Sequence, residues 1–270
     1  AQKLGWNDRL LPLFLDLGKY NGKLYALAKT SETLGLFYNK TLFQKKNWTP
    51  PTTIPELEKL ADEMKAEGLT PFAAGNADWR PANEWYVSIV LNSIAGPEAV
   101  YKALTGETPW TADPIAKAID KLNEWLQKGY FGQNYFSLTT EQGFAQLANG
   151  QAGIAPTGTW SFTNAATDFP AANAEPGFVG FPSGDGVPSP IFALGIGSTF
   201  SINSGSKVAD GAAAVFDMIY SPKFYSDMNS VWQGEWNLPL KDLSQVKLAD
   251  HVHQLSSEVM KNLSSAVDNN

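Results

Sequence analysis

The chain has 270 residues, of which 43% are hydrophobic and 17% charged, and it contains no cysteine. This length fits about two domains at roughly 150 residues each, and the composition allows a sizeable core. The net charge of −7 argues against nucleic acid and anionic membrane surfaces as partners, and the lack of cysteine excludes disulfides, thiolate metal sites and a cysteine nucleophile.

Short apolar runs alternate with helical patterns in the first half of the chain. Residues 24–29, 34–38 and 70–74 are predicted strands. Thr53 and Glu56 have the spacing of a capping box, in which each side chain accepts a hydrogen bond from the other residue's backbone N–H. A helix is therefore predicted to begin there.

The second half continues this alternation. A helix is predicted from Asp113, with one apolar face formed by Ile115, Ile119, Leu122 and Leu126. Further helices are predicted at 141–148, 207–220 and 222–232, and strands at 152–155, 177–181 and 191–196. Strands that alternate with helices favour an α/β fold with a mixed or mostly parallel sheet.

The residues that follow the predicted strand 152–155 indicate a binding function. Residues 155–160 have the sequence APTGTW, and the proline and glycine in it predict a turn directly before Trp160. Trp79, Trp232 and Trp236 also stand at loop or element ends. Indole faces stack on the apolar faces of sugar rings, and carboxylate and guanidinium groups bind sugar hydroxyls. The four tryptophans are therefore compatible with a sugar site, and packing of each at the rim of a core is the alternative that stays open.

Signatures of catalysis are weak in this sequence. No phosphate-binding loop, dinucleotide fingerprint or nucleophile elbow occurs. His251 and His253 are two residues apart, point in different directions on a helix, and lack an evident third ligand. We therefore predict no metal site, no cofactor and no catalytic residue. A carboxylate pair such as Glu235 with Glu32 keeps a glycan-acting enzyme as an alternative.

Several segments resemble one known family. They are 22–40 (GKLYALAKTSETLGLFYNK), 50–73 (PPTTIPELEKLADEMKAEGLTPFA), 144–160 (FAQLANGQAGIAPTGTW) and 201–228 (SINSGSKVADGAAAVFDMIYSPKFYSDM). Together they resemble the extracellular solute-binding protein family 1, the sugar-binding receptors of ABC importers, of which maltose-binding protein is a distant member. The resemblance runs from about residue 20 to about residue 240.

The resemblance implies an α/β fold of the type II periplasmic-binding-protein kind, with two discontinuous lobes that hold the ligand between them. We expect one lobe, incomplete, from 1–30 with 191–245, and the other from 31–190 with 246–270. Compared with the family, we expect the chain to lack the usual N-terminal part and C-terminal end. We expect a periplasmic or extracellular location, with a lipid anchor through the missing N-terminal segment as one form of it.

The resemblance also implies roles for individual residues. Glu32 matches an acidic residue that bonds sugar hydroxyls, and Trp160 matches a tryptophan that stacks on a sugar ring. Trp79 falls in a loop that carries an aromatic residue in many members. Looser matches are Arg80 and the segment 234–236, which contains Glu235 and Trp236. Trp232, which the position of the tryptophans indicates, completes the predicted substrate-binding set.

We therefore predict the extracytoplasmic substrate-binding component of an ABC importer. It would bind a carbohydrate, most simply an oligosaccharide, and would contact the permease subunits in the membrane but no nucleic acid. Two alternatives stay open from the sequence: the glycan-acting enzyme, and a binding protein that signals to a membrane sensor.

Overall fold

The computed structural model describes residues 4–78, 87–187, 189–190, 192–234, 236–249 and 252–253. The chain forms two compact units. The first unit comprises Ala1–Thr33, Thr159–Thr163 and Leu194–Gln254, and the second comprises Leu34–Gly158, Asn164–Ala193 and Leu255–Asn270. The lobe boundaries given by the sequence stay a prediction.

Helices and strands alternate along the described chain. The helices are α1 Trp6–Arg9, α2 Pro12–Leu17, α3 Lys40–Lys46, α4 Ile54–Ala66, α5 Pro97–Leu104, α6 Asp113–Gln127, α7 Thr140–Ala148, α8 Phe162–Ala171, α9 Ala209–Ile219 and α10 Pro222–Val231. The strands are β1 Lys19–Tyr20, β2 Lys23–Leu24, β3 Leu27–Ala28, β4 Ser31–Asn39, β5 Thr70–Phe72, β6 Ala152–Gly158, β7 Pro176–Val179, β8 Ala193–Ile196 and β9 Thr199–Phe200. A π-helical segment, Leu91–Ala95, precedes α5.

A mixed sheet organises the second unit. Its strands lie in the order β5-β6-β4-β7. Strand β4 runs antiparallel to β6 and β7, while β5 and β6 are parallel. Apolar side chains from the sheet and from α4 and α6 form the core, among them Leu36, Leu57, Phe72, Trp125 and Ile154.

Helix α4 begins as the capping box predicts. The Thr53 hydroxyl accepts a hydrogen bond from the Glu56 backbone N–H, and the Glu56 carboxylate accepts one from the Thr53 backbone N–H. Its buried face contains Leu57, Leu60 and Met64, which are spaced at about one helical turn.

The predicted turn in APTGTW is wrong, because strand β6 continues through it to Gly158. Residues 154–158 pair antiparallel with β4, and Pro156 lies opposite Leu36. Strand β5 pairs with β6 only as far as Ile154. Beyond that point β6 has a single paired neighbour, so a proline there removes little from the ladder.

The predicted apolar face of α6 is also partly wrong. Ile115 is fully buried, but Ile119 and Leu126 are exposed, and the buried positions are instead Ala118 and Trp125. The large indole of Trp125 packs edge-on against Phe72, and its Nε1–H donates to Glu58 at 2.8 Å. Because the Trp125 side chain is buried, the buried face of α6 is shifted by about one residue from the face that the sequence predicts.

Two short antiparallel pairs, β1 with β2 and β3 with β9, lie in the first unit. Its core is built from apolar side chains of α1, β3, α10 and the segment after α10, including Trp6, Leu27, Tyr225 and Leu238. Helix α9 has no buried residue, and Val215 and Met218 are 50% and 56% exposed.

Candidate functional site

Glu32 lies near the start of β4 and is half-buried in the first unit. Its Oε1 accepts a hydrogen bond from the buried Thr30 hydroxyl at 2.9 Å. Gly197 packs against the carboxylate so closely that a Cβ at this position would lie 1.7 Å from Oε1. The protein thus fixes this carboxylate between a hydroxyl donor and a glycine backbone.

Trp160 is the middle residue of a single 3₁₀ turn, Thr159–Ser161, that follows β6 directly. Thr159 and Ser161 are buried, and Trp160 itself is half-buried. The turn therefore presents a large indole at the end of a buried strand, and it lies later in the chain than the turn that the sequence predicts before Trp160.

Trp232 and Trp236 stack on each other after α10. Their ring centroids are 6.2 Å apart and their planes differ by 18°. Trp232 is 44% exposed, whereas Trp236 is half-buried and packs against the first-unit core. Phe224 contacts Trp236 edge-on at 5.9 Å, and Lys29 Nζ lies 4.6 Å from the centroid of the same ring. Trp232 is therefore the indole of this pair that is more open to a ligand.

Hydrogen bonds fix the backbone between the two indoles. Gly234 has φ +82°, a conformation that favours glycine, and its N–H donates to Asn229 Oδ1 at 3.0 Å. Asn237 Nδ2 donates to the Gly234 carbonyl at 2.8 Å, and the Tyr225 hydroxyl donates to Asn237 Oδ1 at 3.1 Å. Burial raises the pKa of Tyr225, so this hydroxyl keeps its proton and remains a donor.

Three hydrogen bonds join the segments that carry Glu32, Trp160 and the Trp232–Trp236 pair. They run from Ser31 N to Asn237 O (2.7 Å), from Thr33 N to Thr159 Oγ1 (3.3 Å) and from Thr163 Oγ1 to Gln233 O (3.2 Å). Four of the predicted site residues are thus brought into one connected part of the first unit.

Trp79, Arg80 and Glu235 lie outside the described residues, so their predicted roles stay predictions. In the second unit, the residues just before Trp79 are well anchored. Ala77 N donates to Leu138 O at 2.8 Å, and the Asp78 carboxylate accepts hydrogen bonds from the backbone N–H and hydroxyl of Thr140.

Sequence reasoning missed three residues of this site: Lys29, Thr30 and Gly197. Lys29 and Gly197 contact residues that are distant in sequence, Trp236 and Glu32, and such contacts leave no periodic signal in the sequence. The spacing of Thr30 and Glu32, which places both on one face of a strand, is the one local hint.

A cavity of about 1050 Å³ in the first unit contains none of the predicted site residues. Its apolar walls include Trp6, Leu15 and Leu24, which belong to or pack on the first-unit core. We interpret this cavity as a solvent-exposed edge of the first-unit core and not as part of the candidate site.

Comparison with known protein families identifies the family of this chain. The profile of the family described as "Bacterial extracellular solute-binding protein" matches residues 3–224. The chain belongs to this family. Among the described residues, no helix combines the length and apolar character that crossing a bilayer requires.

Individual members of the solute-binding family give more detail. A "Probable sugar-binding periplasmic protein" of Mesorhizobium japonicum is 28% identical over 238 residues, which are 86% of this chain and 54% of that protein. The "Multiple sugar-binding protein" of Streptococcus mutans is 29% identical over 147 residues, 53% of this chain and 35% of that protein. This chain therefore spans at most about half of these curated relatives.

A solved structure of a "Chitin oligosaccharide binding protein" aligns with a TM-score of 0.78 at 25% identity. The alignment covers 97% of this chain and 64% of that one. The predicted α/β class and the type II solute-binding fold are confirmed by this likeness.

Proposed function

We propose that the protein is the extracytoplasmic substrate-binding component of an ABC importer and that it binds a carbohydrate, most simply an oligosaccharide. The observation that carries the proposal is the cluster in the first unit, where the partly exposed Trp232 and the half-buried Trp160 lie on segments hydrogen-bonded to that of Glu32. Family membership and the names of the sugar-binding relatives support it.

The chemistry of these groups suits a neutral sugar. Indole faces bind the C–H faces of pyranose rings, and a carboxylate accepts hydrogen bonds from hydroxyls. Glu32 is already oriented by Thr30, so it loses little conformational entropy when a ligand binds. The proposal includes no catalytic step, and it places the protein in the periplasm or outside the cell, in contact with the permease subunits.

Calorimetric titration of the full-length protein with chitotriose, xylotriose, raffinose and galactose tests the proposal. We expect at least one sugar to bind and to change tryptophan fluorescence. Trp160→Ala should weaken that binding about tenfold with little change in melting temperature, because it removes a stacking surface. Trp110→Ala is the matched control, since Trp110 is 48% exposed and lies in the second unit, outside the cluster.

Two results would count against the proposal at different levels. If none of the sugars binds, the carbohydrate function is wrong. If Trp160→Ala lowers the melting temperature strongly and leaves the affinity unchanged, Trp160 is a core residue and the site must be built without it.

A further inference from the structure

The indole stack, which we define as Lys29, Trp236 and Trp232, combines one cation with two indole rings, and Trp236 contacts both of the others. Lys29 Nζ lies 4.6 Å from the centroid of Trp236, and Trp236 stacks on Trp232 at 6.2 Å. We propose that Lys29 is a positioning residue that acts through Trp236 to hold the exposed indole of Trp232 as a subsite for a single sugar ring. This inference rests on the proposed function and assigns a role to a residue outside the predicted site.

Trp236 is the supporting ring of the stack. Phe224, Trp232 and Lys29 all contact it, and it packs against the first-unit core. With these neighbours it has little ring surface left for a ligand. The sequence predicts sugar contacts for both tryptophans, and the packing favours only Trp232.

The backbone on both sides of the stack is fixed. Lys29 N donates to Ser198 O at 2.7 Å, which holds the residue that carries the cation. The hydrogen bonds of Gly234 and Asn237 hold the segment between the two rings. An ammonium over an indole face is attractive, so Lys29 restrains Trp236, and Trp236 in turn restrains the ring that stacks on it.

The stack limits the ligand to a definite chemical class. One face of Trp232 is directed at Trp236, so only the other face is available, and a flat face of this size accommodates one pyranose ring. A rigid, partly exposed indole gains binding energy from apolar C–H surface and needs no further ordering. The group it fits is therefore an uncharged sugar ring, terminal or internal, with a continuous apolar face.

Substitutions at Lys29 test the inference. Lys29→Met removes the cation and keeps most of the side-chain volume, and Lys29→Arg keeps the cation. Lys23→Met is the control for loss of one charge, since Lys23 is exposed and makes no ion pair or ring contact among the described residues. Trp232→Ala removes the proposed subsite itself.

The measurements are sugar affinity, with chitotriose, xylotriose, raffinose and galactose as probes, and the exciton signal of the stacked indoles in far-ultraviolet circular dichroism. We expect Lys29→Met to weaken binding about three- to fivefold and to reduce the exciton signal. Lys29→Arg and Lys23→Met should stay within about twofold of the wild type, and Trp232→Ala should lose about tenfold in affinity and abolish the signal.

The outcomes separate this inference from the proposed function. Absence of binding by the wild-type protein overturns the function. Normal sugar binding with unchanged affinity in Lys29→Met overturns the positioning role and leaves the function standing. Normal sugar affinity in Trp232→Ala overturns the subsite, even if the exciton signal is lost.

Discussion

At the scale of single residues, the close contact between Gly197 and Glu32 makes a sharp prediction. A Cβ at residue 197 would lie 1.7 Å from Glu32 Oε1 and 2.2 Å from Cδ, so in Gly197→Ala the carboxylate must move away. The movement breaks its hydrogen bond with the Thr30 hydroxyl. We expect sugar affinity to fall about tenfold, the loss typical of a charge-assisted hydrogen bond, as measured by calorimetry.

Gly195 offers a matched control for this substitution. It lies two residues before Gly197, in strand β8, and a Cβ there would meet no atom within 4 Å. Gly195→Ala should therefore keep the wild-type affinity. Equal affinities in the two variants would show that the position of the Glu32 carboxylate does not matter for binding.

The sequence points to candidate site residues, but it does not indicate which neighbours position them. Glu32 and Trp160 were assigned through the family resemblance, and the structure places both in the first unit. Lys29 escaped prediction because its partner, Trp236, is far away in sequence and the contact depends on the folded first unit. Such partners are set by tertiary packing, which a single sequence does not encode as a local pattern.

At the scale of elements, an ion-pair network links α4 to α6. Lys121 Nζ donates to Glu124 at 2.7 Å and to Glu58 at 2.8 Å, and Lys128 Nζ lies 2.7 Å from the other oxygen of Glu124. Hydrogen bonds from Lys121 and then Lys128 lower the pKa of Glu124 from 4.5 to about 2. The ionised carboxylate therefore stabilises the folded state.

This pKa shift predicts how stability depends on pH. Because the folded-state pKa is lowered, the contribution of Glu124 is fully present above pH 4.5 and is lost as the pH falls towards about 2. Glu124→Gln should lower the free energy of unfolding at pH 7 by about 1 kcal/mol, the scale of exposed ion pairs. The difference from the wild type should shrink between those two pH values.

Urea unfolding at a series of pH values, followed by the emission of the buried Trp125, measures this difference. Asp120→Asn is the control, because Asp120 is exposed on the same helix and forms no ion pair among the described residues. A difference between wild type and Glu124→Gln that stays constant from pH 7 to pH 2 would mean that the network does not stabilise the fold.

Local sequence signals predict whether a segment is a helix or a strand. Tertiary contacts determine which face of the element is buried and where the element ends. The capping box at Thr53 fixed the start of α4, because both of its hydrogen bonds lie within four residues. The end of β6 was missed because pairing with β4 extends the strand through Pro156. The face of α6 was missed because two neighbouring apolar stripes were available, and burial of Trp125 decides between them.

At the scale of the whole chain, the two compact units differ in how their elements are stabilised. The second unit has the strands β5-β6-β4-β7, in which residues 34–39 of β4 lie between β6 and β7, and a continuous apolar core. The first unit has strand pairs of two residues each, a helix, α9, without a buried residue, and a cavity of about 1050 Å³ beside its core. Short pairs and uncovered helices contribute little independent stability.

We therefore predict that the units open at different free energies. In native-state hydrogen exchange, the amides of α9 should exchange through local opening, at least about a hundredfold faster than those of β4 and α6, whose opening requires loss of the second-unit core. Mass spectrometry of peptides that cover 209–219, 34–39 and 113–127 resolves the three elements. Helix α6 is the control for helix length and exposure, because its face is anchored by the buried Ile115 and Trp125. Equal protection in α9 and α6 would contradict the prediction and show that the half-buried Phe216 and Ile219 anchor α9 to the first-unit core as firmly as buried side chains anchor α6.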